Sequence, residues 1–490
     1  MKTVKALILL MAMLLSVACS NDDNAAIGVS DDTIIEPPVN DAMSVTTDMA
    51  ISILDSGFSD VAEAFIKRIK HPLYEITPET KAILIKGSNI NQHLSDQKIY
   101  EALANGAVMI IDQPTFKQFI DALYMVYLPG YTDADPGEDD GYIYYDMMAF
   151  DNQYNFYALN DIFDDEKHEP ELKLSPYLNG LYADPVAHWV NENAGKVASG
   201  KAATRGASPE LSTLMKSQNV TQTYSVRPSG TYHEHINDRQ CVFTVSTNIW
   251  AAYKYDEDAD YYLIEQTVLG NSSNFWVGSW TNGNWKCQGF FLSRLTINNK
   301  LFHGEENFKE ERVLKMTDGA YLLDYSPSST SGQRTTTVEE SWQLSGDVGL
   351  SGTGFSGGVG GSISSSYSVE DMTITALCLN DNNCNNNAAW QFDVNTDNYN
   401  FSGWSGFSFR KPPLLGTDAY KTVQCWKWKV EHPKKYDSIR MVVDFGVDHS
   451  YNSYRNDFFS AKSQNGNFFN GWYSQYITIR PPYRGPRTNN

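Results

Sequence analysis

Between residues 342 and 369 the chain alternates apolar and small polar side chains on both sides of a short turn. The apolar positions of the two arms are, in order, Trp342, Leu344, Val348, Leu350, Phe355, Val359, Ile363, Tyr367 and Val369. Serine, glycine and a few other polar residues occupy most of the positions between them, and Thr353 and Gly354 lie at the expected turn. Because side chains alternate faces along a strand, the pattern predicts a β-hairpin with one apolar and one polar face.

The length and polarity of this hairpin favour a strand pair that crosses a bilayer. Each arm is about eleven to fifteen residues long, and a tilted transmembrane strand needs roughly 9–11. Small polar residues suit a water-filled lumen, whereas glycine weakens an ordinary soluble strand. One hairpin cannot close a barrel, and an open edge in lipid leaves backbone groups unsatisfied, so several chains would each contribute a hairpin. The alternative is a flexible Gly/Ser-rich linker, which has no reason to alternate in both arms.

A different pattern, with strands and helices in alternation, occupies residues 46–195. The apolar run at 81–86 predicts a strand, and Ser95 is the expected N-cap of a helix that runs to Leu103 and ends at Gly106. A second strand is predicted at 107–111, followed by a helix from Pro114 to about residue 127. This order predicts a small α/β domain.

From about residue 220 to 490 the chain consists of short alternating segments separated by Gly, Asn, Asp and Ser, which is typical of an antiparallel β-sandwich. Strands are expected at 242–250, 261–268, 290–297, 426–430, 438–445 and 473–479. The predicted membrane-crossing hairpin interrupts this region; with its flanking residues, 335–372, it is called the stem. The fold class is therefore α+β and multidomain: a small N-terminal α/β domain, then a mostly antiparallel β-sandwich with an insertable Gly/Ser-rich hairpin.

The N-terminus has the features of a secreted lipoprotein. A basic start, a short apolar run and small residues precede Cys19, so residues 1–19 predict a signal peptide. Cys19 resembles the lipidated cysteine of a bacterial lipobox, and the acidic residues after it resemble the surface-export signal of Bacteroides-type lipoproteins. Residues 20–45 lack periodicity and predict a flexible tether. Residues 196–219 predict a linker, in which Lys201 and Arg205 are candidate cleavage sites.

Charge and cysteine content narrow the partners and the compartment. The formal net charge of −21 excludes nucleic acid as an expected partner, because phosphate binding needs clustered Lys and Arg. Besides Cys19 there are five cysteines, and export permits disulfides. Cys378 and Cys384 flank an Asn-rich loop and are the preferred pair, while the connectivity of the others stays open.

No catalytic, cofactor or metal site is predicted. GxGxxG and GxSxG matches at 352–357 and 354–358 both fall inside the Gly/Ser-rich hairpin, without the helix that either motif requires. His233 and His235 could share a strand face, but no third ligand is identifiable, so surface turn residues are the simpler interpretation. An acidic loop at 133–140 lacks the EF-hand pattern.

The many aromatic residues after position 220 divide into two groups. Trp426 and Trp428 alternate along a strand and are expected in the core. Trp404 and Phe407 lie in a Gly/Ser-rich segment close to Arg410, which suits a membrane interface or a choline-type headgroup bound through cation–π contacts.

Three segments in a fixed order resemble the leukocidin and α-hemolysin family of β-barrel pore-forming toxins, which includes the vibrio-type cytolysins. They are the Tyr-x-Pro segment at 323–327 that precedes the stem, the stem itself, and the strand at 390–394 followed by the aromatic segment 399–404. The resemblance covers residues 261–480. It implies a protomer that docks an aromatic rim, at about 396–436, on a membrane lipid or surface receptor and assembles into a homo-oligomeric ring. It also implies that residues 46–195 serve as a pro-domain released by cleavage near Lys201 or Arg205.

The expected function is therefore that of a cytolytic pore-forming toxin. The protein is expected to be exported as a surface-exposed lipoprotein of the outer membrane, and to lie in the target-cell membrane once the pore has assembled. The alternative is a non-lytic surface lipoprotein that binds glycans or another cell-surface ligand through its aromatic β domain. No enzymatic step is expected in either case.

Overall fold

The computed structural model describes residues 45–115, 117–118, 121–122, 126, 145–162, 176–196, 216–226, 241–254, 257–304, 312–329, 335–343, 362–370, 372–377, 386–436, 438–457 and 460–482. The structure is mostly β with few helices, as the sequence predicts. The strands before the sandwich are β1 Thr47–Ile53, β2 Ile69–Leu73, β3 Ala82–Lys86, β4 Val108–Asp112, β5 Met147–Phe150 and β6 Phe156–Ile162. Helices in the described ranges include α1 Asp60–Ile66, α2 Ile90–His93, α3 Gln97–Ala104, α4 Pro176–Asn193 and α5 Leu414–Thr417.

The strands of the sandwich and the hairpins are longer and more numerous. They are β7 Lys216–Val226, β8 Cys241–Lys254, β9 Ala259–Asn271, β10 Gly278–Asn282, β11 Trp285–Gly304, β12 Arg312–Val313, β13 Ala320–Ser326, β14 Thr335–Gln343, β15 Ser362–Glu370, β16 Met372–Ala376, β17 Ala388–Val394, β18 Tyr399–Ser402, β19 Gly406–Phe409, β20 Ala419–Glu431, β21 Ser438–Asp457 and β22 Ser460–Thr478.

The N-terminal region forms a parallel sheet covered on both faces. β4, β3, β1 and β2 are neighbours in that order and pair in parallel. The first four residues of β3 and all of β4 are buried, as continuous apolar runs in a covered parallel sheet should be. Helices α1 and α4 pack together against one face, and α2 and α3 supply Ile90 and Leu103 to the core on the other. The predicted strands at 81–86 and 107–111 are confirmed, each shifted by one residue at its start.

The cap of helix α3 corrects one prediction. Asp96, not Ser95, is the N-cap: its Oδ1 accepts a hydrogen bond from the Lys98 backbone N–H at 2.9 Å. The Ser95 hydroxyl instead donates to the Asn91 carbonyl at 3.0 Å. Both residue types cap helices, and a carboxylate accepts more strongly from backbone N–H groups. Gly106 follows the helix with φ +86°, the left-handed conformation expected of a glycine that ends a helix.

The N-terminal sheet and the first sheet of the sandwich are one continuous structure. Eleven strands follow the order β13-β20-β9-β8-β7-β6-β5-β4-β3-β1-β2. The junction is a parallel pairing of β6 with β7, from Phe156 opposite Val220 to Ile162 opposite Val226. Parallel neighbours need a crossover connection, and α4 lies in that connection. The predicted linker therefore ends earlier than residue 219, because β7 begins at Lys216.

A second sheet faces the first and completes the sandwich. Its strands follow the order β16-β17-β11-β21-β22, with β10 and β12 also paired to β11. Aromatic rings join the two inner faces: Tyr224 stacks on Phe445 at 4.8 Å, and Trp390 contacts Trp426 at 5.5 Å. Several strands are far longer than the sequence predicts, including β11, β21 and β22.

Buried polar pairs explain the extra strand length. The side-chain amides of Gln266 and Asn299 exchange hydrogen bonds of 3.0 and 3.1 Å between the two sheets. His449, also buried, hydrogen-bonds the Ser272 hydroxyl at 3.0 Å. Polar residues at these positions look like strand ends in a sequence, but a buried polar group is tolerated when it is hydrogen-bonded.

We predict that cleavage between residues 197 and 215 leaves the two parts of the chain bound to each other. The β6–β7 ladder persists, and the Gln218 side chain still donates to the carbonyls of Tyr154 and Thr478, at 2.6 and 2.9 Å. A trypsin-nicked sample should elute as one species in size-exclusion chromatography under native conditions and as two in urea. Separation of the fragments in native buffer would contradict the prediction.

Candidate functional site

The predicted stem begins and ends at the open edges of the sandwich. β13 is the outermost strand of the first sheet, β16 is the outermost strand of the second, and the hairpin of β14 and β15 connects them. β14 and β15 pair antiparallel from Thr335 opposite Glu370 to Gln343 opposite Ser362. A hairpin attached in this way belongs to neither sheet, so its withdrawal would break no ladder of the sandwich.

The register of the hairpin shows which of its residues lie opposite each other. Trp342 lies opposite Ile363, while Gln343 lies opposite Ser362. Directly opposed residues belong to the same face of a ladder, so these two pairs match apolar with apolar and polar with polar, whereas Val369 lies opposite Thr336. Tyr367 and Val369 also lie in the paired backbone. The remaining residues predicted for the stem lie outside the described residues: Leu344, Val348, Leu350, Phe355 and Val359, with the expected turn at Thr353 and Gly354.

Two tryptophans of the core bond the segments that follow the outermost strands β13 and β16. The Trp390 indole N–H donates to the Pro327 carbonyl, immediately after β13, at 2.9 Å. The Trp428 indole N–H donates to the Asn386 carbonyl at 3.0 Å, just before β17. Trp390, Trp426 and Trp428 are completely buried, which confirms the core position predicted for the last two. The segment that leads from β13 into the hairpin is therefore hydrogen-bonded to the core.

The second candidate surface is a small hairpin formed by β18 and β19, which we call the rim hairpin (residues 399–409). Trp404 lies in its turn and is fully exposed, and Phe401 is 63% exposed. Phe401 and Phe407 pack ring against ring at 4.8 Å. The sequence prediction found Trp404 and Phe407 but missed Phe401, whose opposition to Phe407 across the ladder was the available signal. The rim hairpin thus presents an aromatic cluster to solvent.

Arg410 follows the rim hairpin and is exposed, but it serves partly as a structural residue. Its backbone N–H donates to the Asn398 carbonyl, and its guanidinium donates to the Asp397 carbonyl, both at 2.8 Å. These bonds close the base of the hairpin. The Arg410 carbonyl in turn accepts from Gln288 of β11 at 2.9 Å.

Strands β21 and β22 hold the rim hairpin in place. The side-chain amide of Asn456 accepts from the Phe407 N–H and donates to the Phe407 carbonyl, each at 2.8 Å. The Tyr399 hydroxyl accepts from the Ser453 N–H at 3.1 Å and lies 2.7 Å from the Asn465 Oδ1, to which it can donate. Burial raises the pKa of Tyr399, so this donor stays protonated at neutral pH.

Further aromatic residues lie at the same end of the second sheet. Trp280 of β10 stacks on Phe290 at 5.2 Å. The Arg455 guanidinium lies 5.5 Å from the ring centre of Trp285, within cation–π range. The rim hairpin and these strands together make this end of the sandwich unusually aromatic.

Several predicted residues are not placed by the structure. Cys19, Lys201, Arg205, Cys378 and Cys384 lie outside the described residues. Cys241, Cys287 and Cys425 are buried. None of the helices in the described ranges is both long and apolar enough to cross a bilayer. Within the same ranges, no three His, Cys, Asp or Glu side chains converge on a point that could hold a metal ion.

No protein-family model and no curated protein matches the sequence. Solved structures that are similar to this chain include a pore-forming protein and two toxins, each over 54% of this chain. One described as a pore-forming protein has a TM-score of 0.32, with 11% identity over 89% of its own chain. Clostridium perfringens delta-toxin has a TM-score of 0.30, with 11% identity over 88% of its chain. The Clostridium perfringens NetB toxin in the membrane inserted form has a TM-score of 0.29, with 10% identity over 95% of its chain. At such values the likeness alone carries no functional argument.

We predict that Asn456→Ala loosens the rim hairpin without unfolding the sandwich. The substitution removes hydrogen bonds to the Phe407 backbone, which are worth about 1 kcal/mol each. Amide hydrogen exchange across residues 399–409 should accelerate roughly fivefold for each such loss, while the melting temperature changes little. Asn400→Ala is the matched control, since Asn400 is an exposed residue of the same hairpin. Equal exchange rates in both variants would refute the proposed role of the two Asn456–Phe407 hydrogen bonds, the clamp, in holding the rim hairpin.

Proposed function

We propose that this protein is a pore-forming toxin whose protomers assemble on a target membrane and insert the hairpin at 335–372 into a shared β-barrel. The observation that carries the proposal is the hairpin that leaves the two outermost strands β13 and β16. Its Gly/Ser alternation continues through the residues between β14 and β15. Such a hairpin has one face suited to lipid and one suited to water.

Oligomerisation follows from the backbone. In water the outer edges of β14 and β15 can be hydrated, but in lipid each unpaired N–H and C=O costs several kcal/mol. A closed ring of hairpins from identical chains removes every edge. The proposed pore is therefore a homo-oligomer, and its formation is driven by burial of the apolar face once the ring has assembled. The net charge of −21 favours solubility of the protomer before that step.

Docking is assigned to the rim hairpin. Trp404 and Phe401 expose aromatic surface at the end of a hairpin that Asn456 holds by hydrogen bonds, and Arg410 supplies a cation close by. Tryptophan is the side chain most enriched at membrane–water interfaces, where its ring meets the headgroups. Trp404, Phe407 and Arg410 are thus proposed as the contacts to lipid or to a receptor on the target surface.

The proposed origin is an exported lipoprotein anchored through Cys19 to the outer membrane of its producer and exposed at the surface. Release would need cleavage in the 196–219 segment, with Lys201 and Arg205 as candidates. The β6–β7 ladder supports a two-step release, in which cleavage is followed by separation of the N-terminal strands from β7. A single cut would leave the anchor associated with the sandwich.

The stem assignment predicts that Val359→Lys abolishes release of a dye from liposomes. A lysine on the lipid face costs about 2–4 kcal/mol per strand near the bilayer midplane, and every protomer of the ring carries it. Ser362→Lys, on the predicted lumen face of the same arm, is the control and should retain release with altered ion selectivity. Circular dichroism of both soluble variants should match the unsubstituted chain. Full release by Val359→Lys, or equal loss in both variants, would refute the assignment.

The rim assignment predicts that Trp404→Ala weakens binding to phosphatidylcholine liposomes. Burial of one large apolar side chain contributes about 2 kcal/mol, so affinity in a flotation assay should fall roughly thirtyfold. Trp472→Ala removes another exposed tryptophan, on β22, and should bind as the unsubstituted chain does. Unchanged binding by Trp404→Ala would remove the rim hairpin from the mechanism.

A further inference from the structure

Two tryptophans are exposed in the part of the chain that the structure describes. Trp404 lies in the turn of the rim hairpin, whereas Trp472 lies on a sheet face, in β22. Its neighbour Tyr473 points inward and packs on Tyr224 at 4.7 Å. Because side chains alternate along a strand, Trp472 points outward from the second sheet, and it is 55% exposed.

The indole of Trp472 lies flat on the sheet. It sits opposite Gly446 of β21, where a Cβ would come within 3.0 Å of the two carbons of the ring-fusion bond. Only a glycine lets the ring approach the backbone this closely. One face of the indole is therefore packed on Gly446, and the exposed part of the ring is the opposite face.

Among the side chains that the structure describes, polar groups lie on either side of Gly446 on the outer face. On one side of Gly446, Asp444 accepts from Ser474 at 2.6 Å and from Lys300 at 2.8 Å. On the other side, Asp448 lies opposite Arg294, which forms an ion pair with Asp393 at 2.7 Å. These bonds fix planar carboxylate and guanidinium groups beside the ring before any ligand arrives.

The two exposed tryptophans have different chemical neighbours. Trp404 belongs to an aromatic hairpin with Phe401 and Phe407, which suits lipid. The described side chains beside Trp472 are acids, bases and a hydroxyl, and an acyl chain would have to strip these polar groups of water without offering them hydrogen bonds. A sugar ring fits these neighbours, because its axial C–H groups pack on an aromatic face while its hydroxyls bond to planar polar side chains at the edge.

We propose that the outer face of the second sheet around Trp472 binds a neutral pyranose-containing glycan. The sugar ring stacks on the free face of the indole, and Asp444, Asp448 and Arg294 bond its hydroxyls. The face carries three carboxylates, of Asp393, Asp444 and Asp448, against the two cations Arg294 and Lys300. The whole chain carries a net charge of −21, so sialylated or sulfated glycans would be repelled. The assignment is independent of the pore, since a chain can bind glycans whether or not it lyses membranes.

The test is binding of the chain expressed from Ser20 onward to immobilised oligosaccharides that end in neutral hexoses, N-acetylhexosamines, sialic acid or sulfated sugars. We expect binding to a subset of the neutral sugars. Trp472→Ala should lower that binding at least tenfold, and Tyr74→Ala, which removes an exposed aromatic ring far from this sheet face in the sequence, is the control and should leave it unchanged. Gly446→Ala, which keeps the indole but lifts it from the sheet, should also weaken binding.

Three results would overturn the proposal: no oligosaccharide above background, neutral binding that survives Trp472→Ala, or binding confined to charged glycans. Sedimentation of each variant adds a fourth criterion. If Trp472→Ala changes the oligomeric state in the absence of sugar, the face is an interface with a second copy of the chain, and the glycan assignment fails. Matching melting temperatures for the variants exclude loss of fold as the cause.

Discussion

The arrangement of this chain depends on what its strand edges pair with. β7 would be an edge of the sandwich, but β6 of the N-terminal region pairs with it. At the far end of the same sheet, β2 is the last strand and carries Pro72 and Lys70, which discourage further pairing. The hairpin of β14 and β15 is different, because its strands pair with each other alone in the described structure. Such edges are acceptable in water and unacceptable in lipid, and that contrast links the soluble fold to the proposed ring.

The N-terminal region consequently has a structural part in the sandwich that its sequence does not reveal. Its α/β pattern was predictable, since β3 and β4 are apolar runs separated by an amphipathic helix. Its attachment was not, because the β6–β7 ladder joins residues about sixty positions apart across a helix. Local periodicity identifies strands, but it carries no information on which parallel strands become neighbours.

The candidate surfaces also combine features that the local sequence reveals with features that only the three-dimensional structure reveals. The stem alternation and Trp404 were visible in the sequence, because both depend on residues close together in the chain. The clamp on the rim hairpin was not, since Asn456 comes from β21 and meets Phe407 only in three dimensions. Strand lengths were underestimated for a related reason: Asn299 and His449 look like interruptions until their buried partners are known.

Trp472 and the rim hairpin that carries Trp404 are both held by β21, and this matters for recognition. Gly446 beneath Trp472 and Asn456 beside the rim hairpin are ten residues apart on β21, so the two surfaces are separated by roughly 30 Å along the strand. A target membrane that presents both lipid and glycan would be bound by one protomer at two points. The second contact is then intramolecular, and avidity can exceed either affinity by about 10²–10⁴ without any new contact. Weak individual contacts would therefore suffice to hold a protomer on a target that presents both, long enough for neighbouring protomers to meet.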